Sequence, residues 1–498
     1  MKSKLGIFYG IFCLSVSFLI SSCGQSGAKD KDFSGLTTPG KQEEAYEYRT
    51  YFLPARDGAV QPYVGDTMPY YEDGVYYIYY LKEGGDSYNH SIYLATTKDF
   101  VTYTEQDEVV IEADYDGGQD GWIGTGSVVK VGSKYYFFYT GHADSADVEY
   151  KEKIMVAESD NLTTFHKIAG WEIAPPDELG QKNDFRDPQA CYDPDTDTIS
   201  LTITASKDNV ARILKYTVSA DLQEMQYDGI IFTNAVGDFW NLECSDTFKI
   251  GDKWYLTYSA QDDTLWYASA DEQFGPYSEA KRLEGKLFYA AKHVEDGENT
   301  YMVGWARRSE SPTSTRSVSA WAGNLVVQKI VQKENGELVL APADKVINQF
   351  QNKRKLMVDS VQTLIEADSE YQYVDVCTCY ERFLLKGNFT YSESGSFGLC
   401  FDYNGEVDKY KLISICPDDD MIQLSFNEGD TPITETGIYL EPGKDYSFTY
   451  IQEGSVGVFY IDDMAALTVR LYGVSGKPVR LFARNNIITF SALELYSN

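Results

Sequence analysis

The sequence predicts an all-β protein, a five-bladed β-propeller followed by a C-terminal β-sandwich, and three observations carry that expectation. The first is composition: 40 Tyr and 25 Phe in 498 residues favour strands, because large aromatic side chains pack well on a pleated, half-buried surface. The second is a repeat of one aromatic strand, at residues 75–81, 134–141, 198–206, 253–260 and 300–307. Each copy follows turn chemistry such as Glu72-Asp73-Gly74 or Ile250-Gly251-Asp252, so each reads as the second strand of a hairpin. Units of this size, with several strands apiece, are the signature of a propeller. The third is a change of texture past residue 354, where short alternating strands are broken by Gly-Asn, Asn-Gly and Pro-Gly turns, the pattern of a sandwich.

In chain order, residues 1–23 carry Lys2 and Lys4, then an apolar run, then Leu19-Ile20-Ser21-Ser22-Cys23-Gly24. The run is too short for a span and reads as a signal peptide. Its ending resembles a bacterial lipobox, which implies cleavage before Cys23 and diacylation of the Cys23 sulfur. Residues 24–45, rich in Gly, Ser, Lys and Asp, read as a disordered tether. The propeller, taken as the catalytic domain, is expected over 46–341. A connecting segment with helical spacing of Val346, Ile347 and Phe350 follows over 342–354, and the sandwich over 355–498. The expected product is an exported protein, lipid-anchored to the bacterial cell membrane or cell surface, with a soluble body.

A formal charge of −33 repels phosphate backbones, which excludes nucleic acid as a partner and favours a neutral ligand. Six cysteines remain after Cys13 and Cys23, too few for a disulfide scaffold. Cys377, Cys379, Cys400 and Cys416 have no His nearby and occupy strand positions, so they read as buried thiols, or one disulfide. His90, His142, His166 and His293 show no ligand spacing, and Asp418-Asp419-Asp420 reads as a solvated turn. No metal and no other cofactor is expected.

The first strands of the five hairpins begin near Asp66, Gly124-Thr125-Gly126-Ser127, Asp187, Glu243 and Phe288-Tyr289-Ala290. In a propeller the innermost strand of each blade lines the central channel, so these positions converge. Taken singly, Arg186-Asp187 is a surface charge pair and Glu243 an edge-strand acid; blade spacing is what joins them. Retaining hydrolysis of a glycosidic bond needs one carboxylate nucleophile and one carboxyl that donates and then accepts a proton. A third acid can hold sugar hydroxyls, and aromatic faces such as Trp122, Trp240, Trp266 and Trp305 suit a saccharide channel.

At these residues the chain resembles glycoside hydrolase family 32, the β-fructosidases such as invertase, levanase and inulinase. Phe185-Arg186-Asp187-Pro188 is similar to the family's Arg-Asp-Pro motif and Glu243-Cys244 to its Glu-Cys motif. Tyr139-Thr140-Gly141, Phe288-Tyr289-Ala290-Ala291 and Gly304-Trp305 are supporting matches. The resemblance implies a propeller joined to a sandwich and cleavage of β-fructofuranosyl linkages in fructan, sucrose or fructo-oligosaccharides, with retention. It makes Glu243 the general acid/base, Asp187 the transition-state stabiliser and Asp66 the nucleophile. Arg186 would position the fructosyl hydroxyls and lower the pKa of adjacent acids, and Arg186, Trp122, Thr125, Tyr289 and Trp305 would bind substrate.

One segment departs from the family. Gly65-Asp66-Thr67-Met68-Pro69 stands where Trp-Met-Asn-Asp-Pro-Asn-Gly belongs, and Asp66 is preferred to Asp57 because it keeps the distance to the Tyr76–Tyr80 run. The departure bears on the sugar more than on the reaction. Two other readings compete: an inverting arabinosidase or xylosidase of the family 43 type, and a non-catalytic surface glycan-binding lipoprotein.

Overall fold

Five antiparallel sheets of one design follow each other from Tyr63 to Pro342 in the computed structural model. It describes residues 48–497 apart from 59, 85–89, 144, 146–147, 181, 236, 310–317 and 403–409. The expected signal peptide, tether and Cys23 lie outside the described residues. Blade I is β1 (Tyr63–Glu72), β2 (Val75–Glu83), β3 (Ile92–Thr97) and β4 (Tyr103–Glu105). Blade II is β5 (Trp122–Val131), β6 (Lys134–His142), β7 (Glu152–Ser159) and β8 (His166–Ile173). Blade III is β9 (Phe185–Asp193), β10 (Thr198–Lys207), β11 (Val210–Ser219) and β12 (Met225–Thr233). Blade IV is β13 (Leu242–Ile250), β14 (Lys253–Ala260), β15 (Leu265–Ala270) and β16 (Lys281–Glu284). Blade V is β17 (Phe288–Glu295), β18 (Thr300–Arg308), β19 (Ala320–Gln332) and β20 (Leu338–Pro342).

The aromatic repeat is the set of second strands, β2, β6, β10, β14 and β18. In the first hairpin Asp73 and Gly74 both have positive φ, 49° and 80°, the backbone that lets a two-residue turn follow the strands' own twist. The five first strands touch in a closed ring, β1 to β5 to β9 to β13 to β17 and back to β1. The ring is also closed by hydrogen bonding: Val64 of β1 pairs with Gly323 of β19, merging blades I and V into one eight-stranded sheet. Between blades, Tyr, Phe, Leu and Ile side chains from second and third strands fill the core.

From Lys353 to Ser497 a seven-stranded and a six-stranded antiparallel sheet enclose a second core around Phe383, Phe389, Phe397, Leu399 and Phe448. The connecting segment is less helical than its spacing suggests. β20 runs through Pro342, the helix is the single turn Asp344–Ile347, and Lys353–Arg354 already pairs with Tyr496 and Leu495. The turn has no side-chain cap, and burial of Val346 and Phe350 in the propeller core holds it, as expected for a helix too short to sustain itself. All six cysteines among the described residues are free, four of them buried.

Propeller and sandwich meet through buried polar groups. Arg470, with no exposed surface, donates to the carbonyls of Ala306 and Arg307 and to Asn324 and Ser455. Glu284 at the end of β16 accepts from the backbone N–H and hydroxyl of Thr468, and Glu453 accepts from the backbone N–H groups of Arg49, Thr50 and Tyr51. Each buried charge therefore has the hydrogen bonds that make burial tolerable.

Candidate active site

Every inner strand carries one extra residue near its start. The pairing slips by one between Val64 and Thr67, Gly124 and Gly126, Arg186 and Gln189, Glu243 and Asp246, and Tyr289 and Lys292. These are five β-bulges at one level of the ring, and a bulge re-aims a side chain that regular pleating would turn into the sheet. Asp187, Cys244 and Ala290 adopt φ of 58°, 52° and 50° there, strain of the kind that persists where surroundings over-determine it. In β5 the bulge presses Gly126 so close to the neighbouring strand that a Cβ would lie 2.1 Å from the Phe138 carbonyl oxygen. The bulges assemble the site.

Asp66, on the first bulge, accepts 2.7 Å from the hydroxyl of Thr125 and 3.3 Å from the indole N–H of Trp305. Burial pushes its pKa up; the Thr125 hydrogen bond opposes this and Glu243 adds to it. Asp57, the rejected alternative, is exposed in a turn. Asp187 is 3% exposed, accepts 2.7 Å from the backbone N–H of Cys244, and donates its own N–H to Thr140. Its pKa is raised to about 7, chiefly by burial, with Arg186 pulling it down and Glu243 and Asp66 pushing it up. Glu243 has both oxygens held, Oε1 by Arg186 Nη2 at 3.2 Å and Oε2 by the Tyr289 hydroxyl at 2.5 Å.

The structure thus brings Asp66, Asp187, Glu243, Arg186, Thr125 and Tyr289 into one hydrogen-bonded cluster, and corrects two details. Arg186 does not bring Asp187 below its ordinary pKa, because desolvation outweighs the arginine. Its charge acts on Glu152 as well, from the third strand of blade II, which holds Nη1 at 3.0 and 3.1 Å. Burial raises the Glu152 pKa, but Arg186, His142 and the Phe185 N–H bring it to about 2. Trp305, expected to bind substrate, is fully buried and turns its N–H to Asp66. It packs edge-on against Tyr289 and Trp321 and supports the site from behind.

Trp122 lies at the start of β5, edge-on to His90 at 5.0 Å, and His90 stacks flat on Trp321 at 4.5 Å. Trp321 in turn covers Gly65, where a Cβ would come within 2.2 Å of the indole. Trp122, His90 and Trp321 therefore form an aromatic wall beside Gly65 and Asp66. Trp240, 40% exposed, lies 5.7 Å from the Arg186 guanidinium and offers an open ring at the rim. Sequence reasoning missed Glu152, His90 and Trp321. It also missed Arg307, which lies 4.3 Å from the Tyr289 ring centre and pairs with Asp263 at 2.7 Å.

A five-bladed propeller joined to a sandwich, with three acids gathered on its inner ring, defines a protein of the glycoside hydrolase class. The description of the glycosyl hydrolases family 32 N-terminal domain matches residues 66–342, more than half of the chain. The chain belongs to that family, and the family 43 alternative gives way to it. Sucrose-6-phosphate hydrolase of Escherichia coli is 24% identical over 308 residues, 56% of this chain and 61% of that protein. Among solved structures, β-fructofuranosidase of Aspergillus kawachii aligns over 95% of this chain and 98% of its own, with TM-score 0.72 and 15% identity. Sucrose-6-phosphate hydrolase of Lactobacillus gasseri aligns over 94% and 97%, with TM-score 0.70 and 18% identity.

Proposed function

We propose that the protein is a retaining β-fructosidase acting on neutral fructosides such as sucrose, fructo-oligosaccharides or fructan. Asp66 attacks the anomeric carbon, and Glu243 protonates the leaving oxygen and then deprotonates the water that releases fructose. Asp187 holds fructosyl hydroxyls through the transition state. The observation that carries this reading is the shared anchoring of the three acids: Thr125 and Trp305 fix Asp66, the Cys244 N–H fixes Asp187, and Arg186 and Tyr289 fix Glu243. Such preorganisation of groups around one reacting centre is where glycosidase catalysis originates.

Charge argues for an unphosphorylated sugar. The arginines nearest the acids are already engaged by carboxylates, Arg186 by Glu152, Asp184 and Glu243, and Arg307 by Asp263. A sugar phosphate would have to displace one of them in a chain of charge −33.

The test is turnover of sucrose, sucrose 6-phosphate, inulin and levan, with the product anomer followed by NMR. Retained fructose from the neutral substrates is expected. Asp66→Ala should lose turnover on every substrate, whereas Glu243→Ala should keep most of its kcat/KM on an aryl fructoside whose leaving group needs no proton, with kcat lowered because the release step still lacks its base. Inverted product, or a preference for the phosphate ester, would overturn the reading. Binding of fructan without turnover, unchanged in Glu243→Gln, would favour the non-catalytic glycan-binding role.

Anchoring of the body to the bacterial membrane through Cys23 belongs to the same proposal, supported by the leader and lipobox-like ending. It predicts that Cys23→Ser releases the protein from the membrane fraction and abolishes metabolic palmitate labelling.

A further inference from the structure

The bulges place the acids at the starts of the five inner strands, and the same strands enclose a second cavity further along. Its volume is about 370 Å³, and all five inner strands line it, with Lys292, His293, Gln189, Ser127 and Thr247 among the contributors. Lys292 of β17 is 2% exposed. Its ammonium donates 2.9 Å to the carbonyl of Gly126 in β5 and 3.4 Å to the side-chain oxygen of Gln189 in β9. The side chain therefore reaches from blade V across to blades II and III, between the acids and this cavity.

Both partners of Lys292 are neutral, and no ion pair joins it to a carboxylate among the described residues. Asp246, also buried, is the acid whose charge acts on this region. One of its oxygens takes both the backbone N–H and the ring Nδ1 of His293, at 2.6 and 2.7 Å. A buried ammonium carries a desolvation penalty that neutral dipoles offset only in part. Lys292 has three N–H donors and two are used. Because Nδ1 of His293 faces a carboxylate, Nε2 is left for another partner. Lys249 and Glu295 at the cavity are exposed and of opposite sign. The Lys292 ammonium and the His293 ring face one buried carboxylate, Asp246, which acts electrostatically on both and whose second oxygen has no hydrogen-bond partner among the described residues.

We propose that this end of the channel is a binding site for a small oxyanion, a carboxylate or a phosphate, held by Lys292 and His293. A water molecule occupies about 30 Å³, so the cavity accommodates an ion of several heavy atoms with its residual hydration. The bound ion would take up the remaining donors of Lys292 and His293 and brace three blades from the inside, and it would stabilise the fold by binding the folded chain alone. The site is separate from the fructoside chemistry, and its test does not depend on turnover.

Isothermal titration of the purified protein, at constant ionic strength in chloride-free buffer, with inorganic phosphate and separately with acetate, is the direct test. One site per chain is expected for at least one probe, weakened at least tenfold by Lys292→Met. Where Lys292→Met fails to fold, His293→Gln supplies the variant, with an expected loss of several-fold. Crystals soaked in bromide should also show an anomalous peak in contact with the Lys292 ammonium. Absence of saturable binding of both probes to the parent protein, equal affinity in the variants, or no bromide peak at Lys292 would overturn the proposal.

Discussion

The hydroxyl of Tyr289 donates to Oε2 of Glu243 at 2.5 Å while Arg186 donates to Oε1 at 3.2 Å, so one carboxyl is gripped from blades V and III at once. Tyr289 is itself held between Arg307 and Trp305. In its proposed role as acid/base, Glu243 must sit within reach of both the leaving oxygen and the later water, and a misplacement on the order of 1 Å can cost about 100-fold. Tyr289→Phe keeps the ring and removes the donor. We expect kcat on sucrose to fall by about 10- to 100-fold with KM little changed, and stability to shift by no more than about 1.5 kcal/mol, the scale of one hydrogen bond. Steady-state kinetics with a parallel melting curve checks this; an unaltered kcat would remove Tyr289 from the positioning role.

Asp187 makes the fold pH-sensitive in a definite direction. Its folded pKa of about 7 lies above the ordinary 3.8. Below 3.8 both states are protonated. Between 3.8 and 7 the unfolded chain ionises while the folded chain keeps its proton, so stability falls as pH rises through this window and is flat above it. The full effect is on the order of 4 kcal/mol. Asp187→Asn, which can still accept from the Cys244 N–H, should therefore melt higher than the parent at pH 8 and nearly with it at pH 4, while losing turnover. Asp66, whose pKa is also raised by burial, leaves a residual slope of the same sign. A parent and variant that differ equally at both pH values would refute the linkage.

The propeller was legible because its determinants are local. An aromatic strand after a Gly or Asp turn identifies a blade wherever it occurs, and the five repeats coincide with β2, β6, β10, β14 and β18. The convergence of Asp66, Asp187 and Glu243 on the inner ring was legible for the same reason, since each sits near the start of the strand that precedes such a repeat. Glu152 was not, because it opens the third strand of blade II and meets Arg186 only after blades II and III pack. His90 and Trp321 lie on connections and outer strands whose spacing carries no repeat. The pKa values were illegible as well: adjacency suggested that Arg186 governs Asp187, but burial, a property of the assembled ring, has the larger effect.

Gly65 fixes the shape of the wall next to Asp66. A Cβ there would stand 2.2 Å from one atom of the Trp321 ring and 2.6 Å from another, closer than any van der Waals contact permits. Gly65→Ala must move Trp321, and with it His90, which stacks on the opposite face of the wall at 4.5 Å. Overpacking of this kind costs about 1–3 kcal/mol. The expected outcome is a lower melting temperature together with a higher KM for sucrose, and partial recovery of both when Trp321→Leu is added. If the double variant is no better than the single one, the clash lies elsewhere.

Arg470 tests whether the sandwich is part of the catalytic unit. From the sandwich it donates at 2.8 and 2.9 Å to the carbonyls of Ala306 and Arg307 in β18. It reaches the segment whose next neighbours are Trp305, behind Asp66, and the Arg307 side chain, over Tyr289. Arg470→Met keeps most of the side-chain volume but leaves two buried carbonyls, Asn324 and Ser455 without that donor. Orphaned buried acceptors cost about 1–3 kcal/mol each at most, so destabilisation of a few kcal/mol is expected. Because the lost bonds hold the backbone between Trp305 and Arg307, kcat should also fall at temperatures well below the melt. A variant that melts earlier yet keeps full kcat at low temperature would make the sandwich a stabilising partner with no hold on the acids.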